Sequence, residues 1–270
     1  MKKMNKISVV LPTYNREEKL RDSIQSVLEQ TYKELELVVV DDGSTDGTQE
    51  MIHTIKDDRL RFIKLNENKG VSNARNEGVN QSESDWIAFQ DSDDIWRPEK
   101  LERQIDYWEK HRDCSLIYSA YLYHGADGIN RKVPGDMLQG ELEGDIFPWL
   151  LERNSIGTPT VLVKKDAFLM CGGFDIDFRS LEDWDFTIRF SKKNRIAYLP
   201  EVLVDAGASE GGISSATGAY YESRCRMIGK YKQELLERGI FERAVEDILL
   251  RAKGSDVLDK VERILTIFLQ

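Results

Sequence analysis

Apolar positions along this chain follow two rhythms in turn. Residues 7–11 (ISVVL) form a short, unbroken β-branched run closed by Pro12-Thr13-Tyr14-Asn15, which predicts a buried strand ending in a loop. Leu20, Ile24, Val27 and Leu28 then recur at helical spacing and predict a helix with one apolar face between Arg16 and Gln30. Leu35 and residues 37–40 make a second strand, and it runs into Asp41-Asp42-Gly43-Ser44-Thr45-Asp46-Gly47, a loop dense in turn formers. The alternation continues with a helix near 48–55, a strand at 60–65, a helix over about 71–79 and a strand at 86–89. Strands that are nearly continuous apolar runs, separated by helices, imply a mostly parallel sheet covered on both faces. The fold class is therefore α/β and Rossmann-like, and ligands of such sheets sit at the carboxyl ends of the strands.

Further along, a helix after Pro98 carries Leu101, Ile105 and Trp108, and residues 116–118 return to the sheet. Residues 124–141 are Gly-rich and polar and predict a mobile loop. Residues 160–163 are strand-like, Gly172-Gly173 is a turn, and the acidic segment Leu181-Glu182-Asp183-Trp184-Asp185 opens a helix that runs through Phe190. Past Thr217 the pattern is helical to the end, with Val257, Leu258, Val261, Ile264, Leu265 and Phe268 on one apolar stripe that should pack on the domain or on a partner. The division expected is a catalytic domain over 1–215 and a helical extension over 216–270.

Composition narrows the function. The 270 residues suffice for a full core, and 40% hydrophobic with 32% charged residues is ordinary globular usage. A net charge of −10 argues against nucleic acid as a partner, so a phosphate-bearing ligand would need local help. Three cysteines (Cys114, Cys171, Cys225) without a CxxC pair are poor material for a disulfide framework or a zinc site, which fits a reducing compartment. No stretch approaches the roughly 20 apolar residues that a spanning helix needs. The expectation is a cytoplasmic protein, compatible with work at the inner face of the membrane as a peripheral partner and with a homodimer.

The strand-end loops hold the chemistry. Asp91-Ser92-Asp93 follows the strand WIAF, so two carboxylates emerge from a rigid strand end into the crevice. Mn²⁺ or Mg²⁺ would use such oxygens together with those of a diphosphate, neutralising it as a leaving group. The plain alternative is an acidic turn capping the next helix, but Asp91, Asp93 and Asp94 crowded at one strand end repel each other and call for a cation or a strong compensating hydrogen-bond network, of which the cation is favoured. Asp41-Asp42 closes the second strand: a carboxylate there can accept the N–H of a pyrimidine while Tyr14 stacks on the ring, or it can make an Asx-turn with Gly43. Lys69, Arg75 and Asn76 lie near a helix amino end that suits phosphate, or they form a solvated helix start. Tyr118, Tyr121, Tyr123 and Trp149 could stack on sugar faces or pack in the core.

In order, Val10-Leu11-Pro12-Thr13-Tyr14-Asn15, Val40 to Thr48, Gly70 to Asn76, Phe89-Gln90-Asp91-Ser92-Asp93-Asp94, Gly172-Gly173-Phe174-Asp175 and Glu182-Asp183-Trp184-Asp185 resemble the motifs of family 2 glycosyltransferases of the GT-A fold, over roughly residues 6 to 215. Each motif alone is weak; six in order are specific. The resemblance implies an inverting transferase that moves a sugar from a nucleotide-diphosphate sugar, UDP-linked by preference, to the hydroxyl of a glycan or lipid-linked acceptor, in bacterial polysaccharide or other surface-glycan assembly. It implies that Pro12, Thr13, Tyr14 and Asp42 hold the nucleoside and that Lys69, Arg75, Asp91 and Ser92 serve the donor. Asp93 with Asp91 would carry the metal, and Asp183 would be the catalytic base. Many relatives carry a His in the segment corresponding to 204–215; here there is none, and Ser209 takes its place. His53, His111 and His124 lie elsewhere. The rival reading is a non-catalytic sugar-nucleotide binder or assembly partner. A haloacid dehalogenase-type phosphatase would want Thr or Val where Asp94 stands, and a nicotinamide dehydrogenase would want GxGxxG where PTYN stands.

Overall fold

A computed structural model describes residues 6–125, 127–135, 142, 144–207, 218–253 and 257–269. Ser209 and residues 136–141 lie outside the described residues. The elements run β1 (Ile7–Thr13), α1 (Leu20–Leu28), β2 (Leu35–Asp41), α2 (Thr48–His53), β3 (Leu60–Lys64), α3 (Val71–Gln81), β4 (Trp86–Phe89), β5 (Ile95–Trp96) and α4 (Lys100–Lys110). They continue with β6 (Leu116–His124), β7 (Asn130–Val133), α5 (Phe147–Leu150), β8 (Val161–Lys164), α6 (Lys165–Met170), α7 (Glu182–Ser191) and β9 (Ile196–Gly207). Four helices close the chain: α8 (Gly218–Lys230), α9 (Lys232–Glu237), α10 (Phe241–Ala252) and α11 (Leu258–Leu269).

Among the described residues the strands make one mixed sheet in the order β3-β2-β1-β4-β8-β6-β9-β5, with β7 paired to β6. The βα alternation read from the sequence produces its parallel part, β3-β2-β1-β4. β8 is antiparallel to both β4 and β6, while β9 runs parallel to β6. Strand direction depends on a partner far along the chain, so an apolar run cannot reveal it. Two strands had no clear pattern. β5 is only two residues long, and β9 is broken by Pro200-Glu201, where its pairing with β6 slips register. Part of the expected loop over 124–141 is β7, a polar strand visible only through its antiparallel pairing with β6.

Two features lock this framework where the ligand edge lies. Gly78 sits on the inner face of α3, where an added Cβ would come within 2.4 Å of Val10 Cγ1, so only glycine lets the helix lie this close to β1. Asn76 on the same helix donates to the Phe174 carbonyl at 2.8 Å and accepts from the Phe174 N–H at 2.9 Å, clamping the Gly-Gly turn to α3. Asn76 is thus a structural bracket between α3 and the Gly-Gly turn.

The closing helices share the main core. Tyr221, Cys225, Ile228, Ile248, Val261 and Leu265 belong to the same buried cluster as Phe89, Phe168 and Phe186. A polar cluster adds to this packing: fully buried Asp185 on α7 accepts from Arg189 at 2.8 Å, from Lys230 at 2.7 Å and from the Tyr231 hydroxyl at 2.8 Å. Among the described residues no disulfide joins the cysteines, and no helix is long and apolar enough to cross a membrane.

Candidate active site

The parallel strands end at one edge, and Thr13 pairs with Asp41 in register there. β4 delivers the acidic turn to the same edge. Within it the Asp94 N–H donates to the Asp91 carbonyl at 3.3 Å, and the Asp94 carbonyl accepts from Ser23 and from Gln90, both at 2.7 Å. Arg75 stands behind this turn with its side chain 5% exposed, its guanidinium 5.4 Å from the centre of the Phe174 ring. One nitrogen donates to Asp91 at 2.6 Å and another to Glu182 at 2.5 Å. Burial opposes the charge on Arg75, but the two carboxylates outweigh it and raise the guanidinium's pKa above its usual range. Burial in turn pushes Asp91 upward against the pull of Arg75, and it pushes Asp94 to about 8 with the help of Asp91 and Asp93. Asp93 faces Arg16, 3.9 Å away.

Across the cleft stands the first turn of α7. Leu181, the residue before it, has φ 62°, a left-handed conformation that a branched side chain rarely adopts and that aims the following carboxylates. Asp183 accepts from the Trp184 N–H at 2.6 Å and from the Asn154 amide at 3.2 Å. Burial, and next the charge of Glu182, lift its pKa to about 7 despite Arg75 and the Trp184 N–H. A carboxyl group poised there can take a proton at neutral pH. The cleft between the two acidic sides measures about 360 Å³, and Tyr121 and Tyr123 form part of its wall.

Beside the cleft, the β1 and β2 ends form a second corner. Asp42 is 3% exposed and spends both oxygens on the next loop, accepting from Lys69 N–H at 2.9 Å and Gly70 N–H at 2.7 Å. Burial raises its pKa against those two donors. Asp41 accepts from the Ser44 N–H at 2.9 Å through one oxygen, while its other oxygen and the Thr13 hydroxyl are buried without a hydrogen-bond partner among the described residues. Tyr14 is exposed next to them. Buried polar atoms without partners are rare in folded proteins, and two at adjacent strand ends suit a ligand's donor and acceptor.

The Glycosyl transferase family 2 model matches residues 8–169. This chain belongs to that family. The glycosyltransferase is 30% identical to TuaG of Bacillus subtilis, named for teichuronic acid biosynthesis, over 77% of the chain and 81% of that protein. It is 32% identical to WfgD of Escherichia coli, a UDP-Glc:alpha-D-GlcNAc-diphosphoundecaprenol beta-1,3-glucosyltransferase, over 71% of the chain and 72% of that protein. Of three longer Rickettsia glycosyltransferases it spans 35%, 28% and 36%. Among solved structures, residues 1–349 of S. aureus TarS in complex with UDP-GlcNAc superpose with a TM-score of 0.69 at 25% identity, over 98% of the chain and 71% of that TarS chain.

Of the residues singled out in sequence, the glycosyltransferase brings Pro12, Arg75, Asp91, Ser92, Asp93 and Asp183 to the walls of one cleft. Thr13, Tyr14 and Asp42 stand at the neighbouring strand ends. The Lys69 side chain is exposed beside Glu67, 3.2 Å away, outside the cleft walls. Arg75, expected to reach phosphate, has two of its nitrogens engaged by carboxylates. Of the aromatics, Tyr118 is core, with its hydroxyl on the Leu142 carbonyl, and Trp149 donates to Ser155 at 2.7 Å. Sequence reasoning missed Asn154 and the pairing of Glu182 with Arg75. A signal for the latter existed: Arg75 shares the buried face of α3 with Ala74, Gly78 and Val79, where a charge needs a partner.

Proposed function

We propose that this glycosyltransferase inverts the anomeric centre, moving a sugar from a nucleotide-diphosphate donor, UDP-linked by preference, to an acceptor hydroxyl during assembly of a cell-surface glycan. One observation carries the reading: a carboxyl group with its pKa near 7, Asp183, faces the Asp91-Ser92-Asp93 turn across a single cleft. A single displacement needs that separation, because the acceptor attacks from the side opposite the leaving diphosphate. Asp183 takes the hydroxyl proton, Asn154 orients the carboxylate, and Glu182 with Arg75 holds the helix start.

The donor side fits a hard divalent cation. Burial, and next the charges of Asp91 and Asp93, raise Asp94 to about 8, and a cation would relieve the charge crowded at this turn. Among the described residues no group of three or more His, Cys, Asp or Glu side chains is arranged to hold a metal, so the diphosphate itself would supply the remaining ligands. Asp93, with Asp91, would hold Mn²⁺ or Mg²⁺, and the ion's chemistry there is neutralisation of the leaving diphosphate. Thr13 and Asp41, with their free buried atoms, and Asp42 through the loop it braces, are assigned to the nucleoside.

WfgD by its name uses a UDP-sugar and a diphosphoundecaprenol-linked acceptor, and TarS was solved with UDP-GlcNAc; both support a UDP donor, and WfgD supports a lipid-linked acceptor met at the inner membrane face. The test is a donor screen with Mn²⁺ followed by NMR of the product. An α-linked donor should give a β-linked product, and a retained configuration would refute the mechanism.

A further inference from the structure

A second cavity, of about 480 Å³, lies between residues 151–153 and the closing helices α8, α9 and α10. Its walls carry four arginines (Arg153, Arg224, Arg243 and Arg251) and two carboxylates, in a chain whose net charge is −10. The carboxylates are already engaged: Glu152 accepts from Arg243, and Asp247 accepts from Arg251 at 2.9 Å. Arg153 and Arg224 remain. Among the described residues neither has a hydrogen bond or ion pair; Arg153 lies 5.0 Å from the centre of the Trp149 ring and Arg224 4.4 Å from that of Trp184.

Arg224 is the informative one. Its residue is 6% exposed, as deeply buried as Arg75, yet Arg75 is held by two carboxylates and Arg224 by none. Burial lowers its pKa, and the more distant Tyr220 and Asp247 do not make up the difference. A buried guanidinium facing a cavity without a counter-charge in contact is costly in the empty state, and that cost is recovered when an anion binds. The planar donor fork of arginine matches the oxygens of phosphate, and two unpaired arginines suit a group with more than one negative charge.

The cavity also adjoins the catalytic side. Residues 151–153 line it, and Asn154 beyond them touches Asp183; Trp184, on which Arg224 stacks, directly follows Asp183. Tyr220, one helical turn before Arg224, lines the cleft itself. We propose that this cavity binds a phosphate or diphosphate group, with Arg224 and Arg153 as its ligands, at a site separate from the donor cleft. The group comes either from the acceptor, which for this part rests on the glycosyl transfer proposed above, or from free phosphate or pyrophosphate.

The test is calorimetric titration of pyrophosphate, in chelator and at fixed ionic strength, into the intact chain and its Arg224→Gln, Arg224→Lys and Arg153→Gln variants. UDP with Mn²⁺ is titrated in parallel. The expected result is pyrophosphate binding weakened 10-fold or more by Arg224→Gln, less by Arg224→Lys and by Arg153→Gln, with UDP affinity changed less than 2-fold. Should Arg224→Gln not fold, Arg153→Gln, at an exposed side chain, carries the test. No binding by the intact chain, or equal binding by the variants, overturns the proposal. The two sources separate kinetically. With a diphosphate-bearing acceptor and the same sugar as a neutral glycoside, a KM increase in Arg224→Gln confined to the former identifies the acceptor; phosphate-sensitive rates with both acceptors, lost in the variant, identify the free ion. Absence of transfer with every donor would count against the enzymatic reading alone, because the pyrophosphate titration does not depend on it.

Discussion

Glu182 and Arg75, 107 residues apart, meet at 2.5 Å and tie the helix that bears the candidate base to the helix beside the acidic turn. The same guanidinium reaches Asp91, so both walls of the cleft hang on one buried cation. Replacing Arg75 by Met should leave buried Glu182 and partly buried Asp91 without a counter-charge. Breaking such a pair by removing one partner typically costs about 3–5 kcal/mol. Denaturant unfolding should register a loss of that order, and Arg75→Lys should recover only part of it because one ammonium cannot reproduce the fork.

Asp183→Asn keeps the size of the side chain and removes its basicity. Turnover should fall by about 10² or more, in line with general-base contributions, with donor affinity little changed. In the wild type, kcat should rise with pH up to about 7 as Asp183 ionises and then level off. Stability should move the other way: a carboxyl whose folded pKa is raised from 3.8 to about 7 binds its proton more tightly when folded. The chain therefore loses stability through this group as pH rises from about 4 to 7. Asp183→Asn should accordingly gain on the wild type across that window, and melting curves at pH 5 and pH 8 measure the difference. A variant with near-normal kcat would remove Asp183 from the mechanism.

Removing divalent metal with a chelator should abolish transfer, and adding Mn²⁺ or Mg²⁺ should restore it. Asp93→Asn should reduce turnover by orders of magnitude and weaken nucleotide-diphosphate binding without lowering the melting temperature, since among the described residues Asp93 has only a loose contact with Arg16 and is repelled by Asp91 and Asp94. Full activity in excess chelator would dismiss the cation.

Asp41 and Asp42 should separate by their readouts. Asp42 braces the Lys69 and Gly70 backbone, so Asp42→Ala should lower stability by about 1–3 kcal/mol, the cost of orphaned buried donors, and raise donor KM through the displaced loop. Asp41→Asn keeps an acceptor for the Ser44 N–H while changing what its free oxygen offers, so it should raise donor KM several-fold with a smaller stability change. Donor KM and chemical denaturation, measured on both variants, decide which carboxylate faces the base.

Local patterns in the chain determined the parallel half of the sheet. Continuous apolar runs at 7–11, 37–40 and 86–89 and the helical spacing of Leu20, Ile24 and Val27 are short-range properties, and each became the element expected. The carboxyl-end loops followed from them, because parallel strands point their carboxyl ends to the same edge of the sheet, and so Asp91, Asp93 and the Thr13–Asp41 corner were legible. Long-range contacts decided the rest. The direction of β8, the broken strand β9 and the polar strand β7 exist through partners distant in sequence. The sequence alone does not show that Arg75 pairs with Glu182, nor that each Asp42 oxygen accepts from the backbone of Lys69 or Gly70. A charged side chain's role depends on which opposite charge or N–H reaches it first, and burial makes that choice strong. Only the folded chain brings those partners within hydrogen-bond distance.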